Sequence, residues 1–143
     1  MDNKALTNSA DAIFGVYPEL RRLVHESFDR QEIKLTRTQQ IILLTLANAD
    51  VLSMSVLAKR INTSNEQATR AVSQLIKLGF MERFQNVKNR RIVNIRLTKA
   101  AEDYLTSVRA TAADLLAHPV IDSEDERYKK YARDLASLHD YFA

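Results

Sequence analysis

The 143 residues contain no cysteine, which excludes disulfides, thiolate metal sites and thiol-based redox sensing. Cysteine-free composition suits a reducing compartment, and a cytoplasmic location is expected. Two glycines and two prolines leave few places for tight turns, so a mainly helical fold is expected. No apolar run approaches the roughly 20 residues of a membrane-spanning helix, and no basic segment leads into an apolar core at the N-terminus. Neither a transmembrane helix nor a signal peptide is therefore predicted. Enzyme signatures are equally scarce: there is no glycine-rich phosphate loop, nucleophile elbow or paired-carboxylate constellation. His25, His118 and His139 fall in three different predicted helices or their ends, without metal-ligand spacing. Catalysis, a cofactor and a metal are not expected.

What the chain has is a concentrated positive charge. Its formal net charge is only +3, yet Lys77, Arg83, Lys88, Arg90, Arg91, Arg96 and Lys99 face a single acid, Glu82, within one stretch. A hydrophobic fraction of 45% is ordinary for a globular protein, and the length fits one domain or two merged lobes sharing a core. No internal repeat, low-complexity segment or long linker divides the chain.

In chain order, Leu6, Ala10, Ile13, Tyr17, Leu20 and Val24 recur at three- and four-residue steps and predict a helix from Leu6 to about Gln31. Gly15 and Pro18 predict a kink near Tyr17, or a short helix followed by a longer one. Thr36-Arg37-Thr38-Gln39 has capping-box spacing, opening a central helix through the apolar run 41–46 that stops at Asn48-Ala49-Asp50. Ser53 starts a short helix, roughly Met54 to Ile61, with Val56, Leu57 and Ile61 inward. Asn62-Thr63 breaks the chain, asparagine tolerating the left-handed conformation such a turn needs.

Ser64-Asn65-Glu66-Gln67 is a second capping box, and it opens a helix with Ala68, Val72, Leu75 and Leu78 inward and Gly79 as its stop. Segments 80–85 and 91–97 alternate as half-buried strands, joined by a turn over 86–90. Two short helices across a tight turn, followed by such a hairpin, make a winged helix. Thr98 caps a long helix ending near His118-Pro119, with Ala101, Tyr104, Leu105, Val108, Ala112, Leu115 and Leu116 as its stripe. Beyond an acidic link over 122–126, a last helix carries Tyr128, Tyr131, Ala132, Leu135, Leu138 and Phe142 on one face. The fold class is thus mainly α with a small β-hairpin wing.

These residues resemble the MarR-type winged-helix transcriptional regulators. The resemblance covers nearly the whole chain in element order. Its specific part is Thr69-Arg70-Ala71-Val72-Ser73-Gln74-Leu75, then Gly79-Phe80-Met81-Glu82-Arg83, then Asn89-Arg90-Arg91 and Leu97-Thr98. The last two follow the family's wing signature of an acid, any residue, arginine, five residues and Leu-Thr. Asn89 stands where that signature has aspartate, and Ala101 where a glycine is common.

The resemblance implies a DNA-binding lobe at 36–98 and dimerisation helices at 1–35 and 99–143 within one domain spanning 1–143. It implies a homodimeric repressor on a pseudo-palindromic operator, released by a small aromatic or amphipathic effector. For the apolar terminal stripes, burial of one against another within a monomer is the alternative to a dimer.

DNA contact is expected along the helix from Ser64, Asn65, Gln67, Thr69, Arg70, Ser73, Gln74 and Lys77. Asn65, Gln67, Thr69, Arg70, Ser73 and Gln74 offer the groups that read base edges in a major groove of roughly 12 Å, and Ser64 presents backbone amides to phosphate. Arg70 is favoured because arginine pairs bidentately with guanine, while Glu66 reads as solvated. Lys88, Asn89, Arg90 and Arg91 form the wing, with Arg91 favoured for the minor groove and one of the two arginines alternatively bracing the hairpin. Ser53 reads foremost as a cap. His25, Tyr17 and Tyr104 are candidates to line an effector cleft, with core packing the alternative for the tyrosines. A protein- or RNA-binding adaptor is the competing function, but it has no need of an outer face over 64–78 free of apolar residues.

Overall fold

The structure, a computed structural model, describes residues 3–117 and 125–142. Six helices and three strands follow in the order α1 (Asn3–Asp29), α2 (Arg37–Ala47), β1 (Val51–Ser53), α3 (Met54–Arg60), α4 (Asn65–Lys77), β2 (Met81–Gln85), β3 (Val93–Leu97), α5 (Lys99–Ala117) and α6 (Glu126–Phe142). Helix α1 runs through Pro18 as one element of 27 residues, so the break expected near Tyr17 is absent. Proline withholds one amide from the Phe14 carbonyl, and Phe14 is 76% exposed, so water can satisfy that acceptor.

Local signals set the helix boundaries. The Thr36 hydroxyl accepts from the Gln39 amide while the Gln39 side chain accepts from the Thr36 amide, completing the expected box. Asn62, between α3 and α4, has φ 56°, as the break requires. Gly79 has φ 79° and ends α4 in a Schellman arrangement, with the Phe80 amide donating to Leu75 and the Gly79 amide to Ile76.

Three expected details differ. The Ser64 hydroxyl does accept from the Gln67 amide, but the Gln67 side chain accepts from the Thr63 hydroxyl instead of completing a box. Val56 and Leu78 are exposed, while Ala58 of α3 and Ala71 of α4 are buried. Strand β1 is an addition to the expected hairpin. It pairs antiparallel with β3 (Leu52 opposite Ile95) and makes a three-stranded sheet of order β1-β3-β2.

The core is built where these elements meet. Ile42, Leu43 and Leu46 of α2, Leu57 of α3, Val72 and Leu75 of α4, Ile95 of β3 and Leu105 of α5 are all buried. Truncating any of the leucines to alanine should cost about 2–5 kcal/mol, and this packing holds α4 at a fixed angle to the sheet. The α5 stripe contributes Ala101, Leu105 and Val108 to this core. Tyr104 packs against Phe80 (centroids 4.8 Å apart) and Phe28 (6.1 Å) and donates to the Ile33 carbonyl at 2.9 Å. It therefore ties α1 and α5 to the end of α4.

Much of the terminal stripes is uncovered among the described residues, although Val24 packs on the core. Leu6, Ile13, Phe14 and Tyr17 of α1 and Leu135 and Leu138 of α6 are exposed. The side chains of Tyr128, Tyr131 and Phe142, together with His118 and most of the acidic link, are not among those described. No helix among those described is long and apolar enough to cross a membrane.

Candidate nucleic-acid interface

Four buried residues of α4, Ala68, Ala71, Val72 and Leu75, seat one side of the helix on the core. The other side is left to solvent, and its exposed polar groups divide between two concavities. Asn65 and Thr69 share one with Ser53 and Ser55 at the start of α3 and with Arg91, Ile92 and Val93 at the wing base. Gln67, Arg70 and Gln74 share the other with Thr38 at the start of α2.

Ser64 is an exposed cap, Lys77 closes the helix and is exposed, and Ser73 is half-buried. Ser53 accepts from the Val56 amide, so its side chain serves the α3 cap. The Gln74 side-chain carbonyl is not free, since it accepts from Gln39 Nε2 at 2.9 Å.

The wing is wider than the expected turn: β2 ends at Gln85 and β3 begins at Val93. Asn86 closes it, its amide donating to the Ile92 carbonyl at 3.0 Å while its Oδ1 accepts from the Lys88 and Asn89 amides. Asn89 Oδ1 accepts from the Arg91 backbone amide at 3.1 Å, so asparagine at this position shapes the chain around Arg91 rather than pairing with its guanidinium. Both are side chain-to-backbone turns of the kind asparagine favours. Val87 stands at the apex, 99% exposed between these basic residues.

Charge at the site is distributed unevenly. Arg96 Nε meets Glu82 Oε2 at 2.8 Å and lies over the Phe84 ring, and Lys99 pairs with Asp103. The hydrogen bond to Asp103 also holds the Lys99 ammonium above its usual pKa. Arg70, Lys77, Arg83, Lys88, Arg90 and Arg91 have no side-chain partner among the described residues. Among the described residues, cations without a side-chain partner thus lie on α4, on β2 and at the wing tip, while Arg96 and Lys99 are paired. Sequence reading misses Glu82 and Gln39 as contributors because each acts through a partner that only folding brings near, and Asn86 because its local turn is not distinguished from its neighbours by residue type.

The three residues considered for an effector cleft are not brought together. Tyr104 is in the aromatic stack, Tyr17 is exposed on α1, and His25 Nδ1 lies 2.9 Å from Gln40 Oε1. A separate cleft does lie between α1 and α5, lined by Val16, Leu20, Leu23, Leu115 and Leu116 with Glu19, Arg22 and Glu26 at its polar edge. His139 approaches Asn48 Oδ1 at 3.4 Å.

A two-helix unit over a tight turn, backed by a third helix and followed by a three-stranded sheet with a basic hairpin, defines a winged-helix protein. Residues 35–93 match the sequence model of the MarR family. Over these residues the chain is similar to that family. The transcriptional regulator AdcR of Streptococcus pneumoniae is 37% identical over 70 residues, which span 49% of this chain and 47% of AdcR. The match thus covers about half the length of that relative.

Among solved structures, RV1404 from Mycobacterium tuberculosis superposes with a TM-score of 0.73 at 17% identity, covering 94% of each chain. A mutant of MarR from E. coli complexed with operator DNA gives 0.61 at 17% identity, covering 96% of this chain and 97% of that one. These likenesses place the fold.

Proposed function

We propose that the protein is a cytoplasmic, sequence-specific double-stranded DNA-binding regulator, a homodimeric repressor acting on a pseudo-palindromic operator. The observation that carries this reading is the pairing of an outward polar face on α4 with a wing whose tip cations have no side-chain partner among the described residues. The α4 face enters the major groove, with Arg70 and its neighbours reading base edges and Lys77 on phosphate. The wing carries Lys88, Arg90 and Arg91 to the flanking minor groove. In this division residues 36–98 are the DNA-binding lobe, and 1–35 and 99–143 supply the dimer frame.

Dimerisation is supported by the exposed apolar stripe of α1, with Phe14 76% and Tyr17 58% exposed, and by Leu135 and Leu138 on α6. Contiguous apolar surface of this kind is characteristic of an interface. Two copies related by a two-fold axis would bury it isologously and set two α4 helices at one spacing. The structure of operator-bound E. coli MarR supports the same mode by likeness of fold. The cleft between α1 and α5 supports release by a small amphipathic effector, which would act by favouring one spacing of the two lobes.

A gel shift of the purified chain against its own upstream DNA, with the mass of the complex determined by light scattering, tests this reading. Two chains per specific site support it. Binding that competitor DNA of random sequence abolishes as readily as the upstream fragment contradicts it.

A further inference from the structure

The link between Gln39 and Gln74 has a fixed direction. The Thr36 backbone amide can only donate, so the Gln39 atom facing it at 2.9 Å is the carbonyl Oε1. That leaves Gln39 Nε2, at the other end of the same planar amide, as a donor. It meets Gln74 at 2.9 Å, and the Gln74 atom that accepts is therefore Oε1. Gln39 is 6% exposed and locked by both halves of the capping box, so its amide is not free to turn over.

One backbone N–H at the start of α2 thus sets the orientation of a side chain on α4, leaving the Gln74 NH2 as the group presented outward. Gln74 itself is exposed, in the same concavity as Gln67 and Arg70.

We infer that Gln39 is a positioning residue that fixes the hydrogen-bond polarity of Gln74, making Gln74 a donor that prefers guanine, with two adjacent acceptors, over adenine, which sets a donor beside its one acceptor. A glutamine reads adenine through both ends of its amide, accepting from N6 and donating to N7. Here the accepting end is already engaged, and a group with donors alone fits the N7 and O6 acceptors of guanine, or O4 of thymine. This inference rests on the reading of α4 as the base-reading helix and names the chemistry of one contact within it.

The decisive variant is Gln39→Glu. Glutamate still accepts from the Thr36 amide, as in an ordinary capping box, and its charge suits a first helical turn. The second oxygen of the introduced carboxylate can only accept. Gln74 must then turn over, giving its NH2 to that oxygen and presenting its carbonyl to the groove.

Base preferences should be determined by selection from a randomised duplex pool for wild type, Gln39→Glu, Gln74→Ala and the double variant. Gln39→Ala, which releases Gln74 without reversing it, serves as a second probe. Each variant is checked by circular dichroism for a native melt. The expected result is one half-site position that prefers guanine or thymine in wild type. It is relaxed in Gln74→Ala, broadened in Gln39→Ala and moved towards adenine or cytosine, whose exocyclic amines donate, in Gln39→Glu. The double variant should match Gln74→Ala alone.

An unchanged preference in folded Gln39→Glu overturns the inference, as does a uniform loss of affinity across all sequences in Gln39→Glu and Gln74→Ala. Wild-type protein without any sequence preference would instead overturn the DNA-reading proposal, so the two failures are distinguishable.

Discussion

Glu82 and Arg96 stand directly opposite one another on β2 and β3, and their side chains meet at 2.8 Å on the face of the sheet away from the core. The single acid of the basic stretch therefore occupies one of its arginines inside the wing. Both side chains are about half exposed, so the pair itself is worth little. Its consequence is for binding. Arg96→Ala should leave the salt dependence of DNA affinity unchanged, whereas Lys88→Ala should reduce the slope of log K against log salt by about one. Anisotropy titrations across a salt series distinguish them.

Arg70 is exposed and unpartnered among the described residues, with Gln67 and Gln74 beside it. Arg70→Ala should cost about 1–3 kcal/mol on the preferred site and relax the sequence requirement at one base position. Competition between the preferred duplex and single-base variants measures both.

Asn86 holds the wing tip by accepting from two backbone amides, Lys88 at 2.9 Å and Asn89 at 3.2 Å. Asn86→Ala removes no charge but releases the loop that carries Lys88, Arg90 and Arg91. DNA affinity should fall while the melting temperature changes little, because these bonds are exposed and lie outside the core. A drop in melting temperature as large as that of a core variant would show the wing to be part of the folding unit instead.

Gly79 shows the opposite balance. With φ 79° and open space where a methyl group would point, Gly79→Ala meets no clash but must adopt a left-handed backbone. It should lose about 1–2 kcal/mol in urea unfolding, with Gly79→Asn losing less.

Asp29 accepts a bidentate pair of hydrogen bonds from Arg37, both at 2.9 Å, and this contact holds its carboxyl below the ordinary value of 3.8. A carboxylate with a depressed folded pKa stabilises above its unfolded value and loses that contribution as pH falls through the folded one. The coupling between Asp29→Asn and Arg37→Gln in a double-mutant cycle should therefore be present at neutral pH and vanish below the folded pKa. A coupling unchanged into acid would contradict the assignment.

Much of this architecture is legible because it is local. Thr36 and Gln39, Asn62, Ser64 and Gly79 act within three or four residues of themselves, so the helix boundaries they set can be read from the sequence. Strand β1 escapes such a reading because Val51-Leu52-Ser53 is too short to show alternation, and only its pairing with β3 makes it a strand. The inward assignments of Val56 and Leu78 fail because helical spacing gives the axis of a face but not its width. Pro18 misleads, since a helix exposed along much of its length has water available for the carbonyl that proline leaves unpaired.

At the site, residue type identifies the exposed α4 side chains and the wing cations. It cannot show that Arg96 is occupied by Glu82, that Gln74 is oriented by Gln39, or that Asn86 is the residue closing the wing. The first two depend on contacts that only the folded chain makes, and the third on a local turn that residue type does not distinguish from its neighbours.

In the proposed mode, two copies of the α4 face and wing read one duplex. Selection from a randomised duplex pool by the purified full chain, followed by titration of the enriched sequence against scrambled DNA at physiological salt, tests it most directly. The expected result is an inverted repeat with half-sites about one helical turn apart, bound by two chains at least about 10³-fold more tightly than scrambled DNA. Enrichment of no sequence, with equal affinity for both duplexes, would contradict it.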